Sequence, residues 1–338
     1  MLKIAFTNQG GDRVTASQPL NQADQDSESS SAGSFAAETE HVSVMPNEIV
    51  QWVREINPTT IIDGTYGGGG HTRLLAEVLA DAGSDSDTPR VIAIDRDPAV
   101  VRRDEQKSWI KDDPRIELFL GSYESSPKAL DALDLTHADA LVLDLGLSSD
   151  QLADRNRGFT FTIDDAELDL RFDPENGVPA YRWLQQHSEK EIADAIYQFG
   201  EERFSRRIAK QIFLRARERN PVTKVGELVE ICRRCVPRSR NHDIHPATRT
   251  FQALRIAVND ELGGLTRTLQ SAPDWIAPGG RVAVISFHSL EDRIVKNVFR
   301  EDHRWEILTK KPLRPTDEEV QANPRSRSAK LRVAKRVE

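Results

Sequence analysis

Asp63-Gly64-Thr65-Tyr66-Gly67-Gly68-Gly69-Gly70-His71 is the stretch on which the fold turns. Thr59-Thr60-Ile61-Ile62-Asp63 leads into it as a short apolar run, the pattern of a buried strand. Beyond it, Leu74, Leu75, Val78 and Leu79 recur at helical spacing. Glycines between a strand and a helix let the backbone turn tightly and let a ligand approach without Cβ collisions. The helix that follows offers free N–H groups at its start. In a doubly wound sheet such a turn lies in the carboxyl-end crevice, where nucleotide cofactors bind. A tight strand–helix turn without a ligand has the same local sequence, so the loop alone does not decide the function.

Further strands follow on both sides of a long gap. Arg90 to Asp95, Ile116 to Leu120 and Ala138 to Leu145 are apolar runs, and Arg281 to Ser286 is another, placed after Pro278-Gly279-Gly280. Continuous apolar strands alternating with helices indicate a parallel sheet covered on both faces. A helix is expected near Asn47 to Glu55, and Pro98 allows another to begin just after Asp95. Residues from about 154 to 245 read as helices, with clear periodicity over Glu189 to Phe199 and Glu202 to Arg219. One long helix, from about Thr248 to Leu269, leads back into the sheet. The expected organisation is an α/β domain of residues 41–153 and 246–338, interrupted by a helical insertion at 154–245. Residues 1–40 form an acidic extension. From residue 7 it is rich in Ser, Gln, Asp, Ala and Gly and has too little apolar surface to offset its ordering entropy, so disorder is expected there.

The bulk numbers narrow the classes. A chain of 338 residues suggests about two domains. The net charge of -8 argues against a generic nucleic-acid binder, but the charge is segregated. Residues 201–240 carry twelve basic and five acidic side chains, and residues 304–338 carry ten and five. Such stretches can meet a phosphate backbone inside an acidic protein. Cys232 and Cys235 are the only cysteines, which excludes a disulfide framework and leaves a structural zinc site short of ligands. They read as ordinary thiols in a reducing compartment. The apolar runs are too short for a membrane span, and the start is too short for a signal peptide, so a cytoplasmic protein is expected.

The order strand, glycine loop, helix, strand, acid points to an adenosine cofactor. Asp95 ends the second strand, where a carboxylate can accept both ribose hydroxyls. The loop does not spell Gly-x-Gly-x-x-Gly, which disfavours a dinucleotide, and an acid opening the loop, as Asp63 does, is more typical of methyltransferases. Tyr123 and Asp144, at the ends of the next two strands, would line the same crevice. The tyrosine could pack on adenine or sit at the rim. The aspartate could hydrogen-bond a polar cofactor or substrate group.

At this point the motifs closely resemble those of the bacterial small-subunit ribosomal RNA cytidine N(4)-methyltransferases, the RsmH or MraW family. The resemblance runs from His41 to about Val337. Besides the glycine loop it rests on Ile94-Asp95-Arg96-Asp97-Pro98, on Asp144-Leu145-Gly146-Leu147-Ser148-Ser149 with Gln151-Leu152, and on Arg157-Gly158-Phe159-Thr160-Phe161. Gly200-Glu201-Glu202-Arg203-Phe204, the run from His245 to Ile256, the run from Ile285 to Arg293 and the tail Asn323-Pro324-Arg325-Ser326-Arg327-Ser328 complete it. The resemblance implies a class I, Rossmann-like fold and S-adenosyl-L-methionine as cofactor. It implies cofactor contacts at Gly69, Gly70, His71, Asp95, Tyr123, Asp144 and Gln151, and 16S rRNA within the small ribosomal subunit as partner, with neither DNA nor membrane. Tyr123 stands where the family often has Phe. Leu168-Asp169-Leu170-Arg171-Phe172 replaces a methionine-rich version, and the acidic extension has no counterpart.

The implied reaction methylates the exocyclic amine of a cytidine in the decoding region. Asp144 is the candidate proton acceptor, with a purely cofactor-binding role as its alternative. His288 and Ser289 could face the same crevice, although Ser289 and Asp292 read as a helix-capping pair. Arg203, Arg206, Arg207, Lys210, Arg215 and Arg217 are expected to meet the RNA backbone, with Arg155 and Arg157 beside the pocket. A nicotinamide-dependent oxidoreductase and a non-catalytic ribosome-assembly factor are the competing classes.

Overall fold

Among the residues that the computed structural model describes, 43–81, 89–237 and 245–337, seven strands pair into one sheet. They are β1 (Thr60–Asp63), β2 (Arg90–Asp95), β3 (Ile116–Leu120), β4 (Ala138–Asp144), β5 (Ile276–Ser286), β6 (Trp305–Ile307) and β7 (Lys330–Arg336). The acidic extension, residues 1–40, lies outside the described residues. The order is β3-β2-β1-β4-β5-β7-β6. β1 to β5 run parallel, whereas β7 is antiparallel to β5 and β6 to β7. The order reverses beside β1, which pairs with β2 on one side and β4 on the other. That reversal opens a crevice at the carboxyl ends of the strands, where the glycine loop leaves β1. Every residue of β1 is buried, as a strand covered on both faces requires.

Up to residue 153 the helices are α1 (Pro46–Arg54), α2 (Gly70–Asp81), α3 (Pro98–Asp104), α4 (Ser108–Lys111), α5 (Ser126–Asp131) and α6 (Ser149–Ala153). The stretch read as helical holds α7 (Ala180–Gln186), α8 (Glu189–Gly200), α9 (Ser205–Arg217) and α10 (Val225–Cys235). After it come α11 (Thr248–Asn259), α12 (Glu261–Ser271), α13 (Ser289–Glu301) and α14 (Asp317–Ala322). One sheet face packs on α1 and α2, through Ile49, Val53, Leu75 and Leu79 against Ile61 and Val91. The other packs on α5, α12 and α13, through Leu130, Leu265, Leu269 and Val295 against Ile62 and Ile92. A third apolar cluster lies among α7 to α10, and Phe251, Ala253 and Leu254 of α11 join it. α11 therefore packs with α7 to α10.

Three sequence expectations change. The long helix expected over Thr248 to Leu269 is two helices, broken at Asp260, whose φ of 49° is left-handed. The break follows Asn259, whose buried amide serves another segment. Its Nδ2 donates to Leu170 O at 2.7 Å, and its Oδ1 accepts from Phe172 N at 2.8 Å. Leu168 and Leu170 are almost wholly buried, so the segment that departs from the family pattern is firmly packed. β5 begins at Ile276, before the Pro-Gly-Gly turn, because Ala138 pairs with Ile276 across a register shift. β6 and β7 lie in the stretch that composition marked only as basic. Arg332 of β7 is buried because Asp292 of α13 accepts from its Nε at 2.6 Å.

Candidate cofactor site

The glycine loop is shaped from below by Asp63. This carboxylate is fully buried; it accepts from Thr72 Oγ1 at 2.7 Å and from Thr65 N at 3.2 Å. Its role is to fold the loop. Tyr66 donates its hydroxyl to Asp104 at 2.8 Å and stacks on Trp109, with ring centroids 6.4 Å apart. Burial raises the tyrosine's pKa well above the usual phenol value, with Asp104 adding to the shift. Gly69 crosses this aromatic pair at φ +79°, where a Cβ would come within 2.7 Å of the Trp109 ring. Gly64 has a similar constraint, since a Cβ there would lie 2.9 Å from Tyr123.

Asp95 closes the loop from the neighbouring strand. Its Oδ2 accepts from Gly67 N and its Oδ1 from Asp97 N, both at 2.8 Å. Burial pushes its pKa from 3.8 up to about 7, with the Asp97 and Asp63 carboxylates adding and the two N–H bonds opposing. Each carboxylate oxygen has two lone pairs, so each keeps one for a further donor. A buried acceptor pair short of donors fits the two hydroxyls of a ribose.

Gly70 begins α2, and His71 is 5% exposed. The imidazole Nε2 lies 2.9 Å from Val44 O, and Nδ1 lies 3.8 Å from Asp144 Oδ2. Asp144 ends β4, and its N–H donates to Thr65 Oγ1 at 2.6 Å, tying β4 to the loop. Tyr123 follows β3 in a 3-10 turn; it is buried, not at the rim, and donates its hydroxyl to Glu261 O at 3.2 Å. Burial raises its pKa above the usual phenol value. Gln151 is placed differently. Its Oε1 accepts from Ser148 N at 3.0 Å while Ser148 Oγ accepts from Gln151 N at 3.1 Å, a capping box on α6. Its carboxamide NH₂ is the part with a donor to offer a ligand. Gly69, Gly70, His71, Asp95, Tyr123 and Asp144 thus gather around one loop, and Gln151 stands on the helix after the Asp144 strand.

The expected Ser289–Asp292 capping pair is replaced by His288 and Glu291. Glu291 Oε2 accepts from Phe287 N at 2.8 Å and His288 N at 3.2 Å. His288 Nε2 lies 3.0 Å from Glu291 Oε1, at an angle too oblique for a hydrogen bond. Ser289 instead donates to Glu201 at 2.8 Å, and Asp292 is taken by Arg332 and Lys330. Three contributors escaped the sequence reading: Thr65, Val44 through its carbonyl, and Asp97, which caps α3 and pairs with Arg157 Nη1 at 2.5 Å. Only the Asp97-Pro98 dipeptide carries a local signal, that of an N-cap before a first-turn proline.

Of the basic residues expected to meet RNA, Arg203, Arg206, Arg207, Lys210 and Arg217 are exposed. Arg215 is engaged by Glu227 and by Asn220 O, and Arg157 by Asp97 and Asp154. Their guanidinium groups hold the fold together. Cys232 and Cys235 are buried free thiols, and burial pushes Cys232 up to about 12. Among the described residues no group of three His, Cys, Asp or Glu side chains could hold a metal, and no helix is long and apolar enough to cross a membrane.

A parallel sheet that reverses at β1, an antiparallel β7 beside β5, and a glycine loop answering to an acid at the end of β2 define a Rossmann-like, class I S-adenosylmethionine-dependent methyltransferase. The chain belongs to the MraW methylase family, whose profile matches residues 38–337. It is 98% identical over 325 residues to the ribosomal RNA small subunit methyltransferase H of Rhodopirellula baltica, covering 96% of this chain and all of that protein. The protein of the same name from Synechococcus elongatus is 44% identical over 301 residues, covering 88% of this chain and 95% of that one. A solved putative methyltransferase from Streptococcus mutans, in complex with SAH, is 10% identical with a TM-score of 0.41, covering 88% of this chain and all of that one. That overlap is too loose to bear on the site. Family membership removes the oxidoreductase alternative.

Proposed function

We propose that this chain is a small-subunit ribosomal RNA methyltransferase that methylates the exocyclic N4 amine of a cytidine in the decoding region of 16S rRNA. The observation that carries the proposal is the 98% identity to a whole relative named as a small-subunit rRNA methyltransferase. The cytidine amine rests on the motif resemblance and on the place of Asp144 at the end of β4, beside the loop.

S-adenosylmethionine, when bound, supplies an activated methyl group, so the protein needs no covalent nucleophile. Gly69, Gly70, His71, Asp95, Tyr123, Asp144 and Gln151 are the residues that would hold it, Asp95 through the ribose. The amine of cytosine is a weak nucleophile because its lone pair is conjugated with the ring. Holding it in line with the methyl group supplies much of the rate. Asp144 accepts a hydrogen bond from the amine, favours a localised lone pair and takes the proton released. The base must first leave its stack, at roughly a few kcal/mol. Residues 154–245 act as the RNA-recognition insertion, with the exposed cations of α9 and its approach on the phosphates. The compartment is the cytoplasm, where the subunit is assembled.

The test is to incubate small subunits from a strain lacking the enzyme with methyl-labelled cofactor and to map the modified nucleotide. Label on a cytidine N4 in the decoding region is expected. Binding to the subunit without label would favour an assembly factor. Asp144→Asn with normal turnover and normal cofactor affinity would remove the acid–base role.

A further inference from the structure

His71 has its hydrogen assigned by its surroundings. Val44 O is a backbone carbonyl and can only accept, so the hydrogen of the 2.9 Å contact is on His71 Nε2. In the neutral ring the lone pair is then on Nδ1, which faces Asp144 Oδ2 at 3.8 Å. A lone pair and a carboxylate that face each other in a buried corner form a place for a proton. His71 is 5% exposed and Asp144 13%.

The carbonyl that sets this tautomer is itself pinned. Met45, next to Val44, is a wholly buried non-glycine residue with φ 51° and ψ 44°. That left-handed conformation costs roughly 1–2 kcal/mol and persists only where neighbours hold it. Glu319 of α14 holds it here, with Oε1 accepting from Met45 N at 2.7 Å. Burial raises the Glu319 carboxyl above its usual value; Glu48 of α1 adds to the shift and the nearby His71 opposes it. The segment between β6 and β7 thus reaches across to fix the strap before α1.

We propose that His71 is the positioning residue that completes Asp144 as proton acceptor, with Nδ1 kept open by the strap that Glu319 pins. The inference rests on the proposed amine methylation. The N–C bond forms as the S–C bond breaks with its electron pair left on sulfur. The amine nitrogen then gives one proton to Asp144, and His71 Nδ1, 3.8 Å from Asp144 Oδ2, takes it once the two side chains close to hydrogen-bonding distance, leaving an imidazolium–carboxylate pair that later releases the proton to water.

Nitrogen-15 NMR of the imidazoles in the full chain, with His71 assigned by through-bond correlation to its own backbone, is expected to show the Nε2–H tautomer. In His71→Gln the side chain still offers an N–H to Val44 O and has no basic nitrogen beside Asp144. His71 also belongs to the cofactor site, so the variant's affinity for S-adenosylhomocysteine is measured beside the rate and is expected to fall at least about tenfold less than the rate does. Its single-turnover methylation of small subunits is expected to fall by about 100-fold or more. Glu319→Ala is expected to mix the tautomers and slow transfer, and Glu319→Gln, which keeps the oxygen acceptor, to rescue both. An Nδ1–H tautomer in the wild type would overturn the inference, a result that does not depend on any variant folding. So would His71→Gln at the wild-type rate, or with affinity and rate lost in equal measure. A wild-type chain that methylates no subunit would overturn the proposed function and this inference with it, and is read first.

Discussion

Raising the pH from 6 to 8 should tighten the binding of a ribose-bearing ligand about tenfold. The cause is Asp95. Burial, which disfavours the charged form, pushes its pKa from 3.8 to about 7. Accepting two ribose hydroxyls needs the carboxylate. In the free protein roughly one molecule in ten is ionised at pH 6 and roughly nine in ten at pH 8, one unit either side of that value. The apparent affinity follows the competent fraction, so it rises nearly tenfold, about 1.4 kcal/mol. Stability runs the other way. A carboxylate whose folded pKa is raised contributes most below its unfolded value and has lost that contribution once pH passes 7, so from pH 6 to pH 8 the melting temperature of the ligand-free protein should fall further than that of Asp95→Asn. The assay is calorimetric titration with 5′-methylthioadenosine, which keeps adenine and both hydroxyls but has no amino-acid end to titrate. The 2′-deoxy analogue should bind weakly with a shallower slope, and Asp95→Asn weakly with none. A pH-independent affinity in the wild type, or an equal slope in Asp95→Asn, would refute the assignment of Asp95 to the ribose.

Gly69→Ala places a Cβ 2.7 Å from the Trp109 ring at φ +79°. A left-handed alanine alone costs roughly 1–2 kcal/mol, so melting should fall by several degrees, with S-adenosylhomocysteine affinity reduced about tenfold or more in calorimetry. Asn259→Ala removes the partner of Leu170 O and Phe172 N. The loss should be on the order of 2–4 kcal/mol in urea unfolding, with faster hydrogen exchange at residues 168–172. Replacing Arg203, Arg206, Arg207 and Lys210 with Glu should weaken subunit binding and lower its salt slope by roughly 0.9 for each phosphate no longer neutralised, with cofactor affinity unchanged. Arg215→Ala should instead lower stability, because Arg215 is bound to Glu227 and Asn220 O.

Local pattern carried the parallel sheet, since strands buried on both faces must be apolar throughout and glycine must stand where the chain turns under a ligand. It also carried Asp95 and Asp144, because the end of a parallel strand has a fixed place in the crevice. The capping of α13 was less legible: His288, Ser289, Glu291 and Asp292 are all adjacent polar residues, and the choice among them depends on Glu201, Arg332 and Lys330 arriving from elsewhere. β7 was hidden for a related reason. An arginine in a strand reads as exposed until its carboxylate partner is known.

The sequence by itself determined the five parallel strands, the glycine loop and its acid, and the family, because these depend on neighbours a few residues apart. The tertiary structure alone decided which charges are spent on the fold, where the chain breaks between α11 and α12, and how His71 carries its hydrogen. Each of those turns on a pairing between residues far apart in the chain: Arg332 with Asp292, Asn259 with Leu170, and His71 with Val44. A hydrogen bond of about 3 Å has no trace in composition or period, and only the folded chain brings its two ends together.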